Sequence, residues 1–304
     1  MAAADRSRPS PRLARHAARL VAPYVFMVPS LAFLVFLLIA TGYLLRYSLN
    51  SWGPETGMVS DMTVTSYVKF FSHPYFVGAL VKGTRLALIV TVSALVMAYP
   101  VAYLMAVAPR YRNVILILVV APIVMDVVIR AYGWIVLLSS GGLVNSVIVG
   151  LGLSEAPVKI LYTEWAVVAE LLHETLAFMV LPIAAVLEKI DPSLPEASHT
   201  LGASRWRTFW LITFPLSLPG VLAGTFLVFA LGMSAFVGPL ILGGGNVTVM
   251  SLVIRDQIGV TLDWPLGSAM SMVLVVLTLV LLFFYGRAMQ AGTARRHVAQ
   301  GLRR

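Results

Sequence analysis

The sequence predicts an all-α integral membrane protein of six transmembrane helices with both termini in the cytoplasm. Apolar residues make up 59% of the 304 and charged residues only 12%, and the mean hydropathy is +0.90. A soluble chain carries about 25% charge, so this one lacks the polar groups to cover its surface in water. Six apolar stretches reach the roughly 20 helical residues needed to cross about 30 Å of hydrocarbon. The basic residues, which give a net charge of +9, fall mainly on one side of those stretches. Helix is the expected form, because in lipid every backbone N–H and C=O must be satisfied within the segment.

The stretches run over Val21–Leu45, Leu86–Ala108, Val114–Ser139, Trp165–Leu187, Phe214–Leu242 and Pro265–Gly286. The first follows several arginines, as a signal peptide does. Its 25-residue apolar run exceeds the roughly 7–15 residues of such a segment and no small-residue cleavage site follows, so a retained helix is expected. Arg6, Arg8, Arg12, Arg15 and Arg19 precede the first span. Arg110 and Arg112 lie between the second and third, and Lys189, Arg205 and Arg207 between the fourth and fifth. Arg287, Arg295, Arg296, Arg303 and Arg304 follow the last. These 15 positives face only six on the other side (Arg46, Lys69, Lys82, Arg85, Lys159 and Arg255), which places the richer face in the cytoplasm. Topology thus accounts for the basic excess, and no nucleic-acid partner is expected. The absence of cysteine excludes disulfides, thiolate metal sites and cysteine catalysis. The domain organisation expected is a basic cytoplasmic tail over 1–20, a six-span membrane domain over 21–287 with a long cytoplasmic loop at about 189–215, and a second basic tail over 288–304.

That loop reads DPSLPEASHTLGASRWRTFWLITFPLSLPG from Asp191. Ser193 and Glu196 stand three apart, the spacing of a capping box at a helix start. Gly202 breaks the helix, since glycine adopts positive φ at low cost. A second short helix, basic and aromatic, is expected over Ala203–Thr213, its end signalled by Pro215. The bland reading is a surface helix on the headgroups with Trp206 and Trp210 as interfacial anchors.

The loop resembles that of the inner-membrane permeases of binding-protein-dependent ABC importers, whose pattern there is E-A-A-x3-G-x9-I-x-L-P. Glu196, Ala197, Ser198, Gly202, Ile212, Phe214 and Pro215 stand at those offsets, with Ser198 for the third small residue and Phe214 for leucine. The resemblance extends over nearly the whole chain and implies the type I ABC importer permease fold. It implies that the loop is a coupling helix docked in a groove of a separate ATPase subunit, and that ATP and magnesium are used by that partner, with no cofactor bound by this chain. The docking residues implied are Glu196 and the Gly202 turn, with Ala197, Ser198, Ala203, Ile212 and Pro215 completing the pattern. The partners implied are a second permease subunit (a related but distinct chain), two ATPase copies and an extracytoplasmic solute-binding protein, all at a bacterial inner membrane. No G-x-x-x-x-G-K-[ST] phosphate loop is present in the sequence, and Gly243–Gly245 with Asn246 lacks the lysine.

Two spans carry charge: Asp126 and Arg130 in the third, Glu170, His173 and Glu174 in the fourth. An ionisable group at mid-bilayer costs at least about 2.5–3.5 kcal/mol, so these face a partner or a watery path. Spacing of four puts Asp126 over Arg130, where opposite charges commonly pair, and Glu170 over Glu174, where like charges need an outside cation or protonation. Asp126 and Arg130 are therefore read as an internal pair, and Glu170 and Glu174 as part of a translocation path. The interior sums to −2, which suits a cationic solute. The stretches YPVAYLMAV, VVIRAYGWIVLLSSGGLVN and FVGPLILGGGN resemble spermidine/putrescine permeases more than sugar or amino-acid permeases. Arg130, Tyr132 and Trp134 match that third-span pattern; Asp126, Glu170, His173 and Glu174 are not matched to it, and their roles are read from charge and spacing alone. Related permeases for thiamine, ferric ion or opines share much of the same sequence. Trp134 is placed to stack on an ammonium group or to serve in ordinary packing.

Gly220 and Gly224 form a small-xxx-small pair for close helix approach, within or between subunits. Pro182, Pro215, Pro219 and Pro239 are candidate kinks. The rival class is a secondary transporter or channel that uses the charged spans as an ion relay, which leaves the Glu196–Pro215 pattern without a role. A membrane metalloenzyme built on Glu170, His173 and Glu174 lacks the second histidine of H-E-x-x-H.

Overall fold

The structure is a computed structural model that describes the backbone of residues 11–301 and the side chains of residues 27–287. Arg6, Arg8, Arg303 and Arg304 lie outside the described residues, and so do the side chains of the tails expected over 1–20 and 288–304. In chain order the elements are α1 (Pro11–Ser48), the strands β1 (Ser51–Gly53) and β2 (Gly57–Val59), α2 (Thr65–Ser72), α3 (Pro74–Val107), α4 (Pro109–Val124) and α5 (Val127–Leu138). There follow α6 (Leu143–Gly150), α7 (Glu164–Leu187), α8 (Ser193–Thr200), α9 (Arg205–Thr208), a π-helical turn (Phe209–Thr213), α10 (Phe214–Ser234), α11 (Val237–Leu242), α12 (Met250–Gly259) and α13 (Trp264–Gly301). The strands pair as a small antiparallel hairpin, Ser51 opposite Val59. Among the described residues six segments are long and apolar enough to cross a membrane.

The core is a bundle of α3, α7 and α10. On α3 the small residues Ala94, Ala98 and Ala102 recur every fourth position and are fully buried with Val90, so one stripe of the helix lies in close contact with its neighbours. Met179, Val180 and Ile183 of α7 and Val221 and Val228 of α10 fill the same core. Gly220 and Gly224 make the α7–α10 approach possible within the subunit. A Cβ on Gly220 would stand 2.6 Å from the Pro182 carbonyl oxygen, and one on Gly224 would stand 2.8 Å from the Met179 sulfur. The backbones meet where side chains are missing. By contrast, the apolar window of α1 within Met27–Ser48 buries none of its residues within the chain, and α1 packs mainly against α13.

Two spans differ from the sequence expectation. The stretch expected as one helix over Val114–Ser139 is two, α4 and α5, separated at Met125 and Asp126, both extended (ψ 137° for each). The stretch expected over Phe214–Leu242 is also two, since α10 ends at Ser234 and extended backbone at Ala235 leads into α11. Both breaks lie beside the charged face of α7. The second span begins earlier than expected, at Pro74, so Lys82 and Arg85 ride on its outer end. Pro74 and Pro109 occupy first-turn positions of α3 and α4, where a missing N–H costs nothing.

Ion pairs hold the two ends of the bundle. On one side Lys69 meets Asp263 at 2.9 Å and Arg85 meets Glu164. On the other, Arg112 grips Glu188 with two parallel bonds of 2.8 and 3.0 Å, joining the start of α4 to the end of α7.

Candidate functional site

The cytoplasmic loop is built as two helices around a glycine turn. No capping box forms at Ser193: the residue before α8 is Pro192, in helical conformation and without a side-chain cap. The Asp191 carboxylate instead accepts the Ser193 N–H at 2.9 Å, and this bond holds the Asp191 carboxyl below the usual carboxylate range. At the other end, the Ala203 N–H reaches the Ser198 carbonyl (3.1 Å) and the Gly202 N–H the His199 carbonyl (2.9 Å). With Gly202 at φ +80°, this is the double-bonded left-handed helix stop that glycine serves best. No atom stands within 4 Å of where a Gly202 Cβ would sit; backbone conformation alone calls for glycine there.

The second helix starts at Arg205, with the Ser204 hydroxyl accepting the Arg207 N–H at 3.3 Å, and it does not end at Pro215. Helix runs unbroken from Arg205 to Ser234 through the π-helical turn, whose last bond is Phe214 N–H to Phe209 carbonyl. Pro215 has no N–H, and its ring would clash with the carbonyl four residues back in a regular helix. The wider turn before it absorbs the conflict. The Ser198 and Thr208 hydroxyls meet at 2.9 Å and tie α8 to the second helix. Phe209 packs edge-on to Tyr99 of α3 at 5.5 Å, and the Tyr99 hydroxyl meets that of Ser217 at 2.8 Å. Thr208, Ser217 and Tyr99 escaped sequence reading, because their partners lie in other elements. Glu196, Ala197, Leu201 and Trp206 stand exposed, Leu201 at 88%. Ile212 and Pro215 are half-buried where the loop enters the bundle. A cavity of about 700 Å³ lies between α3, the end of α7 and the loop, with Glu196, His199 and Arg205 on its wall.

The second site is the charged cluster inside the bundle. Arg130 does not pair with Asp126. Asp126 is the N-cap of α5, and its Oδ1 accepts the N–H groups of Val128 (2.9 Å) and Ile129 (3.2 Å). The break before α5 turns that side chain back onto its own helix start, which an N-cap acid satisfies well. Arg130 points the other way. Its Nη1 donates to the Pro122 carbonyl near the end of α4 (3.0 Å), and its Nε to Glu170 Oε1 (3.3 Å). Its Nη2 stands 2.9 Å from Glu174 Oε2, a charge contact without hydrogen-bond alignment. One guanidinium thus spans both sides of the α4–α5 break and is the outside cation that the two α7 carboxylates require.

Glu170 is completely buried and Arg130 only 4% exposed, whereas the Glu174 side chain is 35% exposed. Glu170 Oε2 has no hydrogen-bond partner and abuts Gly238 of α11, where a Cβ would stand 2.2 Å from it. Gly238 was not singled out from sequence; its role depends on the break that brings α11 against α7. Trp134 Nε1 donates to His173 Nδ1 at 3.3 Å, edge-on beside the cluster. Tyr132 lies outside it, 61% exposed. Arg130, Glu170 and Glu174 are therefore brought together, Trp134 and His173 flank them, and Asp126 and Tyr132 stand apart.

A six-span bundle with a rigid cytoplasmic loop leading straight into a core helix, and with charge kept in its interior, defines a transport permease subunit. The chain belongs to the binding-protein-dependent transport system inner membrane components, whose family model matches residues 1–292. It is 34% identical to the spermidine/putrescine transport system permease protein PotB of Haemophilus influenzae, over 87% of this chain and 89% of that one. It is 35% identical to PotB of Escherichia coli K12, over 74% and 82% of the two chains. The fold matches a chain of the crystal structure of a bacterial alginate ABC transporter in complex with its pentasaccharide-bound periplasmic protein, with a TM-score of 0.75 at 20% identity, covering 93% of this chain and 98% of that one. The chain is thus a multi-pass inner-membrane permease of the ABC importer class that works with an ATPase and a solute-binding protein. It is itself neither an enzyme nor a cofactor carrier.

Proposed function

We propose that this chain forms half of the translocation path of an ATP-driven importer for a small cationic solute of the spermidine/putrescine class, paired with a related but distinct permease chain and driven by two ATPase copies. The membrane domain spans 21–287, flanked by basic cytoplasmic tails over 1–20 and 288–304. The observation that carries the solute class is the 34% identity to a spermidine/putrescine permease along nearly the full length of both chains. The negative excess of the Arg130, Glu170 and Glu174 cluster supports it. A formal −1 held in the bundle suits a cationic solute better than a neutral or anionic one.

In this reading Glu196 and the Gly202 turn seat α8 in a groove of the ATPase, with Ala197, Ser198 and Ala203 giving small-residue contact. Ile212 and Pro215 mark the entry into the bundle. Closure of the ATPases on ATP pulls α8; the unbroken helix from Arg205 to Ser234 carries the displacement into α10. The glycine contacts of α10 on Met179 and Pro182 carry it to α7, the helix that bears both glutamates. Coupling of this kind needs two packed arrangements that a ligand elsewhere biases, and the α7–α10 seam is the contact through which they would switch.

The test uses the full complex in liposomes, with ATP inside and spermidine with its binding protein outside. Wild type takes up spermidine only with ATP. Replacing Gly202 by leucine forces a side chain into left-handed backbone at about 1–2 kcal/mol, which translates into roughly a 5- to 30-fold loss of solute-stimulated ATP hydrolysis, with membrane insertion retained. Wild-type coupling in Gly202→Leu removes the docking role, and uphill uptake with neither nucleotide nor ATPase returns the chain to the secondary transporters.

A further inference from the structure

Three charges meet inside the bundle, and their accessibilities are unequal. Glu170 is fully buried, bonded through Oε1 to Arg130, with Oε2 unpartnered and pressed on Gly238. Arg130 is fixed by Glu170 and by the Pro122 carbonyl. Glu174 has neither kind of restraint: its contact with Arg130 Nη2 is close but unaligned, and its side chain is one-third exposed. It opens on a cavity of about 240 Å³ between α5, α7, α10 and α11, whose wall includes Ser234, Phe236 and Gly238. Arg130 and Glu170 neutralise one another, so the remaining negative charge of the cluster rests at the cavity wall.

We propose that Glu174 is the permease's binding carboxylate for one protonated amine of the solute, with Arg130 its resident place-holder. The inference rests on the cationic-solute reading above and assigns that solute a residue. An incoming ammonium takes Glu174 from Nη2, while Arg130 keeps its bonds to Glu170 and Pro122. A charge-assisted N–H···O bond to Glu174 is stronger than the unaligned contact that it replaces. The guanidinium stays close by, and its repulsion keeps the amine from binding too tightly to leave, which a transport path requires. The other acidic groups near the bundle are engaged: Asp126 by its own helix, Glu164 by Arg85, Asp263 by Lys69 and Glu188 by Arg112. His173 accepts from Trp134.

The experiment measures spermidine uptake by the reconstituted complex with Glu174→Gln and Glu174→Asp. Loss of the charge is expected to raise KM about tenfold or more, and Glu174→Asp to recover part of it. The sequence has no cysteine, so Ser234→Cys offers a single thiol in the cavity. A cationic methanethiosulfonate should modify it faster than an anionic one of similar size, and spermidine should slow the reaction. An assembled Glu174→Gln complex with KM within about twofold of wild type overturns the proposal, since the charge-assisted bond would then contribute almost nothing. Should Glu174→Gln not assemble, absence of spermidine protection at Ser234→Cys overturns it and protection upholds it. A wild-type complex that imports no spermidine brings down the solute class and this assignment together, whereas failure of the variants alone brings down only the assignment.

Discussion

Burying a guanidinium with two carboxylates is costly, and the cost is met only when each member is held by several partners. Arg130 meets that condition by touching three residues on two other elements: Pro122 at the end of α4, and Glu170 and Glu174 on α7. Glu170 is the weak point, because one of its oxygens has no donor. Its place is kept by packing, and Gly238 is the residue that leaves room for it. Gly238→Ala would put a methyl 2.2 Å from Oε2 and 3.1 Å from the carboxyl carbon. Glu170 would have to shift, and its other oxygen is bonded to Arg130. Overpacking of this order costs about 1–3 kcal/mol. The variant complex should melt several degrees lower in detergent, and an unchanged melting temperature would mean that Glu170 swings aside freely. The sequence shows that these charges need partners, because the cost of charge in lipid is a property of each residue. It does not show which partners. Glu170 lies 40 residues from Arg130, and the nearer acid, Asp126, has ideal spacing for a pair and makes none.

At the scale of elements, Asp126 shows why the spans were legible and their breaks were not. Hydropathy accumulates over about 20 residues, so a two-residue interruption hardly changes it, and Val114–Ser139 reads as one helix. The extended backbone at Met125 and Asp126 creates a new helix start, and the acid serves as its cap. The same blindness holds at Ala235, where α10 gives way to α11, and in reverse at Pro215, where an expected stop is absorbed by a π-helical turn. Gly202, in contrast, was legible, because positive φ is a demand that glycine meets and most residues do not. The cap and the ion pair make opposite forecasts for Asp126. As an N-cap it is served nearly as well by asparagine as by aspartate, while alanine costs about 0.5–2 kcal/mol. As a partner of Arg130 it would need its charge, and asparagine would cost as much as alanine. Thermal melting of the assembled complex should place Asp126→Asn close to wild type and Asp126→Ala clearly below it. Equal losses would restore the ion pair.

Over the whole molecule, the order of the charges fixes which way the bundle faces, and that order is independent of every packing detail. Cytoplasmic retention acts on lysine and arginine in short loops near the spans; the described loops carry Arg110, Arg112, Lys189, Arg205 and Arg207 on one side. That side also holds α8 and the cavity beneath it, so the docking reading of the loop and the charge rule must agree or fail together. The hairpin of β1 and β2 lies on the opposite side, with Glu55 exposed at its tip, while Lys189 is exposed after α7. A chain without cysteine lets each introduced thiol be read against no background. In spheroplasts, a membrane-impermeant maleimide should label Glu55→Cys at once and Lys189→Cys only after the membrane is broken. The reverse pattern would put Glu196 and Gly202 on the outer face, out of reach of any ATP-driven partner. Both sites reacting from outside would deny that α3, the α4–α5 pair and α7 make three crossings between the two loops.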